Sequence, residues 1–528
     1  MKNINLITRR GFLSNSFKIS AGVALSTLVD IPLVMKRALA EGNIGLNGKK
    51  LLFIFLRGGM DGLNTVVPIE DSAYNATNRP DILIPRESGG YYSSPGQCDF
   101  PVSSADPSAS NYSTFHYNRA IKTGNGFAAL HPSLKFLAPV YNAGELAVMH
   151  RVGYPKQSRS HFDSQIYWEN GSPNNNILKD GIFYRTLIES GLAGMAPLTG
   201  VSVQSALPLI LRGSGAAMTN LTDPTRYNLL GVPNTTDGNL KAEQALIDSN
   251  LFPFPAKKNR DFLALQYKNL TDTLPIFGDI GFTDAGNTFR DDVNTDGDTE
   301  PYYLFPTNNA KNGGYTLHGN DSDKYVVDTG AYSFFTNLKA AALILNKTDA
   351  IIAGTELGGF DTHNNQGSTT GAHPNLMRRI GWAMYALRKY FINNGDKATW
   401  DNLVVVTLSE FGRTTIQNAN AGTDHAEASA MFVAGGGIHG GVYGCHPGDP
   451  VPWLTGQAGS MFGVSNRYLK RAIDYRSVLG ELIREHLGAT QSQLGRIIPG
   501  YANAGESLFT GGTSSLDGTP IIGEVNVI

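Results

Sequence analysis

Asp361-Thr362-His363 sets a carboxylate and an imidazole two residues apart, a pairing that suits a divalent cation and suits acid–base chemistry equally well. Glu410 is followed by Phe411-Gly412-Arg413, so a carboxylate and a guanidinium share a tight turn, where they could also simply pair with each other. Further on, Gly422-Thr423-Asp424-His425 offers a second imidazole beside a carboxylate that could orient it or itself be a ligand. Near the start, Asp61 lies in Gly58-Gly59-Met60-Asp61-Gly62, where the glycines let backbone come close to a bound group. In Ser158-Arg159-Ser160-His161-Phe162-Asp163, Ser160 reads either as a nucleophile or as the N-cap of a helix carrying Phe162, Ile166 and Tyr167. The adjacent His161 reads as its catalytic partner or as a metal ligand.

Each of these groups stands just after, or just before, a short apolar run. Leu51 to Leu56 leads to Asp61, Leu146 to His150 precedes Ser160, Ala350 to Ala353 leads to Asp361, and Leu403 to Leu408 ends at Glu410. Such runs read as buried parallel strands, and ligands of open α/β sheets gather at the strands' carboxyl ends. Ala430 to Ala434 is a further strand, so His425 should return to the same edge. Apolar residues Leu376, Ile380, Met384, Leu387 and Phe391 recur at helical spacing and predict a sheet-covering helix over 375–391, and a second helix is expected near 475–487, stopped by Gly488. The expected object is one α/β domain over residues 48–490, with insertions at about 71–126 and 200–330 and a C-terminal extension at 491–528.

A formal charge of −2 excludes a strongly basic nucleic-acid surface, and 41% hydrophobic content excludes a disordered chain. Thr8-Arg9-Arg10-Gly11-Phe12-Leu13, a weak apolar stretch interrupted by Asp30, and Ala38-Leu39-Ala40 follow the order of a twin-arginine export signal. Residues 1–40 are therefore expected to be removed by cleavage after Ala40, leaving a periplasmic or secreted protein with no stable membrane span. The export machinery would be its partner. Cys98 and Cys445 permit at most one internal disulfide, and two free thiols fit equally well. Asp292-Val293-Asn294-Thr295-Asp296-Gly297-Asp298 partly matches a calcium loop, but Tyr303 stands where the bidentate carboxylate belongs, and a solvated acidic turn is the stronger reading.

Five ordered segments carry a resemblance: Leu56 to Asn64, Arg159 to Asp163 with Trp168 to Gly171, Gly359 to His363, Ser409 to Arg413, and Gly422 to His425. Together they resemble a large uncharacterised family of exported bacterial proteins that is similar to the alkaline phosphatase and sulfatase superfamily. The resemblance implies a three-layer α/β sandwich with a mostly parallel sheet, and a metal-dependent hydrolase of phosphate or sulfate esters. It further implies Asp61, Asp361, His363, Glu410 and His425 as metal ligands and Ser160 as the nucleophile; to these the residues themselves add Asp424 as an expected ligand and His161 and Arg413 as expected catalytic groups. The cofactor would be divalent zinc, manganese, magnesium or calcium, two such ions serving an in-line displacement. The chain departs from the superfamily where Asn365 stands in place of a histidine and Phe411 replaces the second member of an Asp-His pair. Two other readings follow from the same residues: a non-catalytic periplasmic or surface protein keeping one structural metal, and a transferase that modifies carbohydrate or peptidoglycan.

Overall fold

The structure is a computed structural model of the 528-residue chain. It describes residues 44–528 apart from 87–95, 99–118, 194–197, most of 225–274, 283–288, 292–301, 309–313, 317–323, 457–458 and 464. The expected export signal and the acidic 292–298 loop lie outside the described residues.

Nine strands form the central sheet: β1 (Lys50–Leu56), β2 (Leu146–Gly153), β3 (Gly200–Val203), β4 (Thr219–Leu221), β5 (Ile352–Leu357), β6 (Leu403–Ser409), β7 (Ser429–Ala434), β8 (Gly441–Tyr443) and β9 (Ile473–Asp474). Their order is β8-β2-β7-β6-β1-β5-β3-β4, with β9 also paired to β2. β1 pairs in parallel with β5 and β6, β5 with β3, β3 with β4, and β2 with β8 and β9. β7 is antiparallel to both β6 and β2, so it alone runs against the rest. The architecture is α/β with a large mixed, mostly parallel sheet.

The five helices that matter here are α1 (His161–Asn170), α2 (Ile182–Glu189), α3 (Tyr332–Lys347), α4 (Ala372–Asn394) and α5 (Tyr475–Glu481). All seven residues of β1 are buried, because both faces of the sheet are covered. Strand period two divides them: Leu52, Ile54 and Leu56 pack into one core with Phe335 and Leu338 of α3 and Ile380 and Leu387 of α4. Leu51, Phe53 and Phe55 pack into the other, with Trp168 of α1, Phe183 of α2 and Val478 of α5. The two cores clamp β1, β5 and β6 from both sides and fix the direction of the loops that leave them.

Two expectations about boundaries meet a different arrangement. β3 and β4 fall within the stretch read as an insertion, where they extend the sheet by two strands of four and three residues, too short to show a period. The C-terminal stretch is built into the domain: Leu494, Ile497 and Val527 lie in the second core, and buried Glu481 accepts the backbone N–H groups of Val525, Asn526, Val527 and Ile528. Cys98 and Cys445 are both buried free thiols. Among the described residues no helix is long and apolar enough to cross a membrane.

Candidate metal centre

The segments leaving β1, β2, β5 and β6 at their carboxyl ends meet at one place. The chain entering β7 joins them there because β7 is antiparallel to β6, so its first residue lies where β6 ends. Close approach of the β1 and β5 loops needs Gly58: its φ is +118°, and a Cβ would sit 2.4 Å from the Asp361 backbone nitrogen. Gly422 does the same for the last loop, where a Cβ would come within 2.2 Å of the His363 carbonyl oxygen.

Three imidazoles converge on Asp361. Its Oδ1 lies 3.0 Å from His425 Nε2, 3.1 Å from His363 Nε2 and 3.5 Å from His161 Nε2. His161, Asp361 and His425 each offer one donor atom, all within 4.8 Å of one another. His363 Nε2 also lies 3.0 Å from His425 Nε2.

The opposite nitrogen of every ring is anchored. His161 Nδ1 is 3.0 Å from Glu410 Oε1, His363 Nδ1 is 3.3 Å from Asp424 Oδ1, and His425 Nδ1 is 2.9 Å from the Arg159 carbonyl oxygen. Each of these partners only accepts, which assigns the proton to Nδ1 and leaves the Nε2 lone pair facing inward in the neutral ring. Three lone pairs and a carboxylate oxygen then face one another, and at most one nitrogen of the His363–His425 pair can relieve the repulsion by taking a proton. A cation between His161, Asp361 and His425 relieves three of them at once. The Nε2 atoms of His161 and His425 and the Asp361 carboxylate oxygen, with each ring oriented by an acceptor behind it, fit a borderline divalent ion such as zinc or manganese, and His363 Nε2 lies beside this group.

Glu410 stands behind this group. Its side chain is fully buried; Oε1 accepts the Gly58 N–H at 2.7 Å, the Gln165 amide at 3.2 Å and His161 Nδ1, while Oε2 has no partner among the described residues. Burial works against its ionisation, but the bonds from His161 and backbone N–H groups outweigh it and its pKa lies below the ordinary value. His161 in turn is raised, the Glu410 bond outweighing its partial burial. Burial also opposes charge on Asp361, yet hydrogen bonds from Arg413 and His425 hold its pKa at about 2. His425 is lowered, by burial first.

Arg413 is a clamp. Its guanidinium is buried and donates to the carbonyls of Gly59 at 2.8 Å, Phe360 at 3.0 Å and Thr423 at 3.1 Å, to the Gly58 carbonyl, and to Asp361 Oδ1. One side chain thus ties the loops after β1, β5 and β6 together. It does not pair with Glu410, and its full enclosure gives it a positioning role. Asp424 is likewise committed: Oδ1 accepts Asn418 and His363, and Oδ2 pairs with Arg467 at 2.8 Å.

Asp61 lies outside the cluster. It is completely buried, pairs with the equally buried Arg79 at 2.8 Å, caps the short helix Gly62–Thr65 and accepts Gln366 Nε2 at 2.6 Å. Burial is outweighed by Arg79, and its pKa falls to about 2. Gln366 Oε1 accepts the hydroxyls of Thr362 at 2.9 Å and Thr423 at 2.6 Å, the residues between Asp361 and His363 and beside Asp424. Asp61 therefore reaches the centre through a buried relay. Ser160 is the N-cap of α1, its hydroxyl oxygen accepting the Asp163 N–H at 3.4 Å. Phe411 packs its ring against those of His161 and His425, with centroids 4.8 and 4.7 Å away.

Sequence reasoning missed Arg79, Gln366 and Gln165. Gln165 follows His161 by one helical turn, a spacing that could have revealed it. Arg79 sits in a stretch read as an insertion, and no local pattern marks Gln366.

Fold and site define a class: an α/β protein with a histidine-rich centre at the carboxyl ends of its sheet. Residues 318–452 match the family described as Protein of unknown function (DUF1501). That span holds Asp361, His363, Glu410, Arg413, Asp424 and His425 and stops short of His161. No functionally curated protein and no solved structure matches the chain.

Proposed function

We propose that the chain is an exported, divalent-metal-dependent hydrolase of phosphate or sulfate esters, related in fold to the alkaline phosphatase and sulfatase superfamily. The observation that carries this reading is the inward convergence of His161, His363 and His425 Nε2 on Asp361 Oδ1, with every Nδ1 anchored from behind. His161, Asp361 and His425 hold one cation, with His363 beside them; Glu410, Asp424 and the Arg159 carbonyl fix the rings, and Arg413 fixes the loops. A divalent ion so held would supply Lewis acidity toward an ester oxygen and charge neutralisation for the leaving group. Ser160 is the nucleophile: it enters α1 one residue before His161, and its long cap bond uses the oxygen as acceptor and leaves the hydroxyl proton available. Export follows from the paired Arg9 and Arg10, the weak apolar stretch and the Ala38-Leu39-Ala40 site.

One observation favours a second reading, a non-catalytic exported protein with a structural ion. Asp61, expected among the metal ligands, is taken up by Arg79, so the full two-metal donor set is not assembled. A panel of aryl phosphate, phosphodiester and aryl sulfate substrates, each with zinc, manganese, magnesium and calcium, separates the two. The hydrolase reading expects turnover that Ser160→Ala abolishes while metal content holds. Absence of turnover across the panel by metal-loaded protein would leave the structural reading. Turnover surviving in Ser160→Ala would pass the nucleophile's role to water.

A further inference from the structure

Phe162 and Ile166 lie four residues apart on α1 and so share one face of the helix. Phe162 is 82% exposed and Ile166 half-buried, although amphipathic helices ordinarily turn such residues inward. Both line a groove of about 460 Å³, together with half-buried Leu207 from the segment that follows β3. Ile166 and Leu207 already pack against the second core, which leaves the Phe162 ring as the uncovered part of the apolar wall. A cleft of this size is in the range that takes a small organic ligand.

The charges of the lining balance. Arg57 pairs with Glu169 at 2.7 Å and with Glu356 at 3.0 Å, and the other oxygen of Glu169 accepts the Ile210 N–H at 2.9 Å. Arg57 and Arg212 equal Glu169 and Glu356 in number, so the lining as a whole is neutral. A group seated here meets no net charge, and what stabilises it is the covering of Phe162, Ile166 and Leu207. The groove reaches the candidate metal centre on two elements. Phe162 directly follows His161, and Gln165, also in the lining, donates to Glu410 at 3.2 Å. Arg57 precedes Gly58, whose N–H holds the same Glu410 oxygen.

We propose that this groove is the leaving-group subsite of the centre and takes an uncharged aryl group, stacked on the Phe162 ring and resting against Ile166 and Leu207. The inference rests on the hydrolase reading for the anion and deepens it by naming the alcohol: the substrate is an ester of an aromatic alcohol, its anionic head at the cation and its ring in the groove. Phe162 is then a specificity-determining residue. A polyol would bring hydroxyls to a wall whose carboxylates are already engaged, and an alkyl chain would cover Phe162 without the ring-on-ring contact that an aromatic pair adds.

Calorimetric titration of the zinc-loaded full chain tests this without turnover, using pairs whose P–C or S–C bond resists hydrolysis. The pairs are methylphosphonate with 2-naphthylmethylphosphonate, and methanesulfonate with 2-naphthylmethanesulfonate. In at least one pair the naphthyl member should bind about tenfold more tightly or better; Phe162→Ala should bring that ratio to about one, and Phe162→Trp should preserve it. Phe162 is so exposed that neither substitution disturbs the core. Equal binding within both pairs, or a naphthyl advantage that survives Phe162→Ala, overturns the proposal and leaves the hydrolase reading in place. Octylphosphonate binding as tightly as its naphthyl counterpart overturns the aryl class. 2-Naphthol titrated alone separates the two claims: if it binds wild type and not Phe162→Ala while none of the anions binds, the aryl groove stands and the anion's place at the centre falls. Failure of every probe, 2-naphthol included, overturns the proposal.

Discussion

Replacing Asp61 with Asn removes one member of an ion pair in which both side chains are fully enclosed and 2.8 Å apart. The cost is set by what Arg79 loses. Its guanidinium keeps the carbonyls of Thr414 and Thr415 and the Asn64 side chain, but it becomes an uncompensated buried charge. Breaking such a pair from one side costs about 3–5 kcal/mol, and the three surviving acceptors argue for the lower end. Linkage gives a consistent figure: an Asp61 pKa held at about 2 against an ordinary 3.8 corresponds to ~2.5 kcal/mol. Because the folded pKa is depressed, this stability is fully present above pH 3.8 and is lost as pH falls towards 2. Denaturant unfolding at neutral pH is the assay. Asp61→Asn should lower the unfolding free energy by about 3 kcal/mol, and adding Arg79→Met should recover part of the loss by removing the orphaned charge. Unfolding identical to wild type, with the bound metal lost, would refute the reasoning and return Asp61 to the ligand set.

Three further outcomes follow from the same contacts. Glu410→Gln should leave the fold intact but weaken metal binding by about 10–100-fold in a chelator competition, because the anion that orients His161 is gone. Thr423→Val should weaken metal binding while Thr423→Ser preserves it, since only the hydroxyl reaches Gln366; equal affinities in the two variants would show that the relay from Asp61 does not position the loop. Changing Arg9 and Arg10 to Lys should hold the uncleaved precursor in the cytoplasm, checked by fractionation; processed protein in the periplasm would contradict the export reading.

Strands β1 and β6 were legible because a run of largely apolar residues of that length can only be a covered strand or a helix, and Gly-rich turns decide for the strand; β5 was legible only from the shorter run Ala350 to Ala353, since Gly354, Thr355 and Glu356 break its apolar pattern. That their ends would gather Asp361, His363 and Glu410 followed from chain direction alone. The antiparallel course of β7 was not legible, since periodicity carries no direction, yet it is what brings His425 to the right end. Pairing was the least legible layer. Glu410 and Arg413, three residues apart, invite a local ion pair, but the turn sends Glu410 to His161 and Arg413 to Asp361. Asp61 carried every local mark of a ligand; its partner Arg79 lies eighteen residues on in an irregular stretch, where no pattern announces a buried cation.

The central claim is that His161, Asp361 and His425 hold one divalent cation, with His363 beside it. Elemental analysis of purified, dialysed protein after incubation with zinc or manganese tests it most directly, with Asp361→Asn and His425→Ala alongside. The account predicts one ion per wild-type chain and essentially none in either variant, with the wild type unfolding at higher temperature when loaded. Metal-free wild-type protein, or one ion retained in both variants, would contradict it.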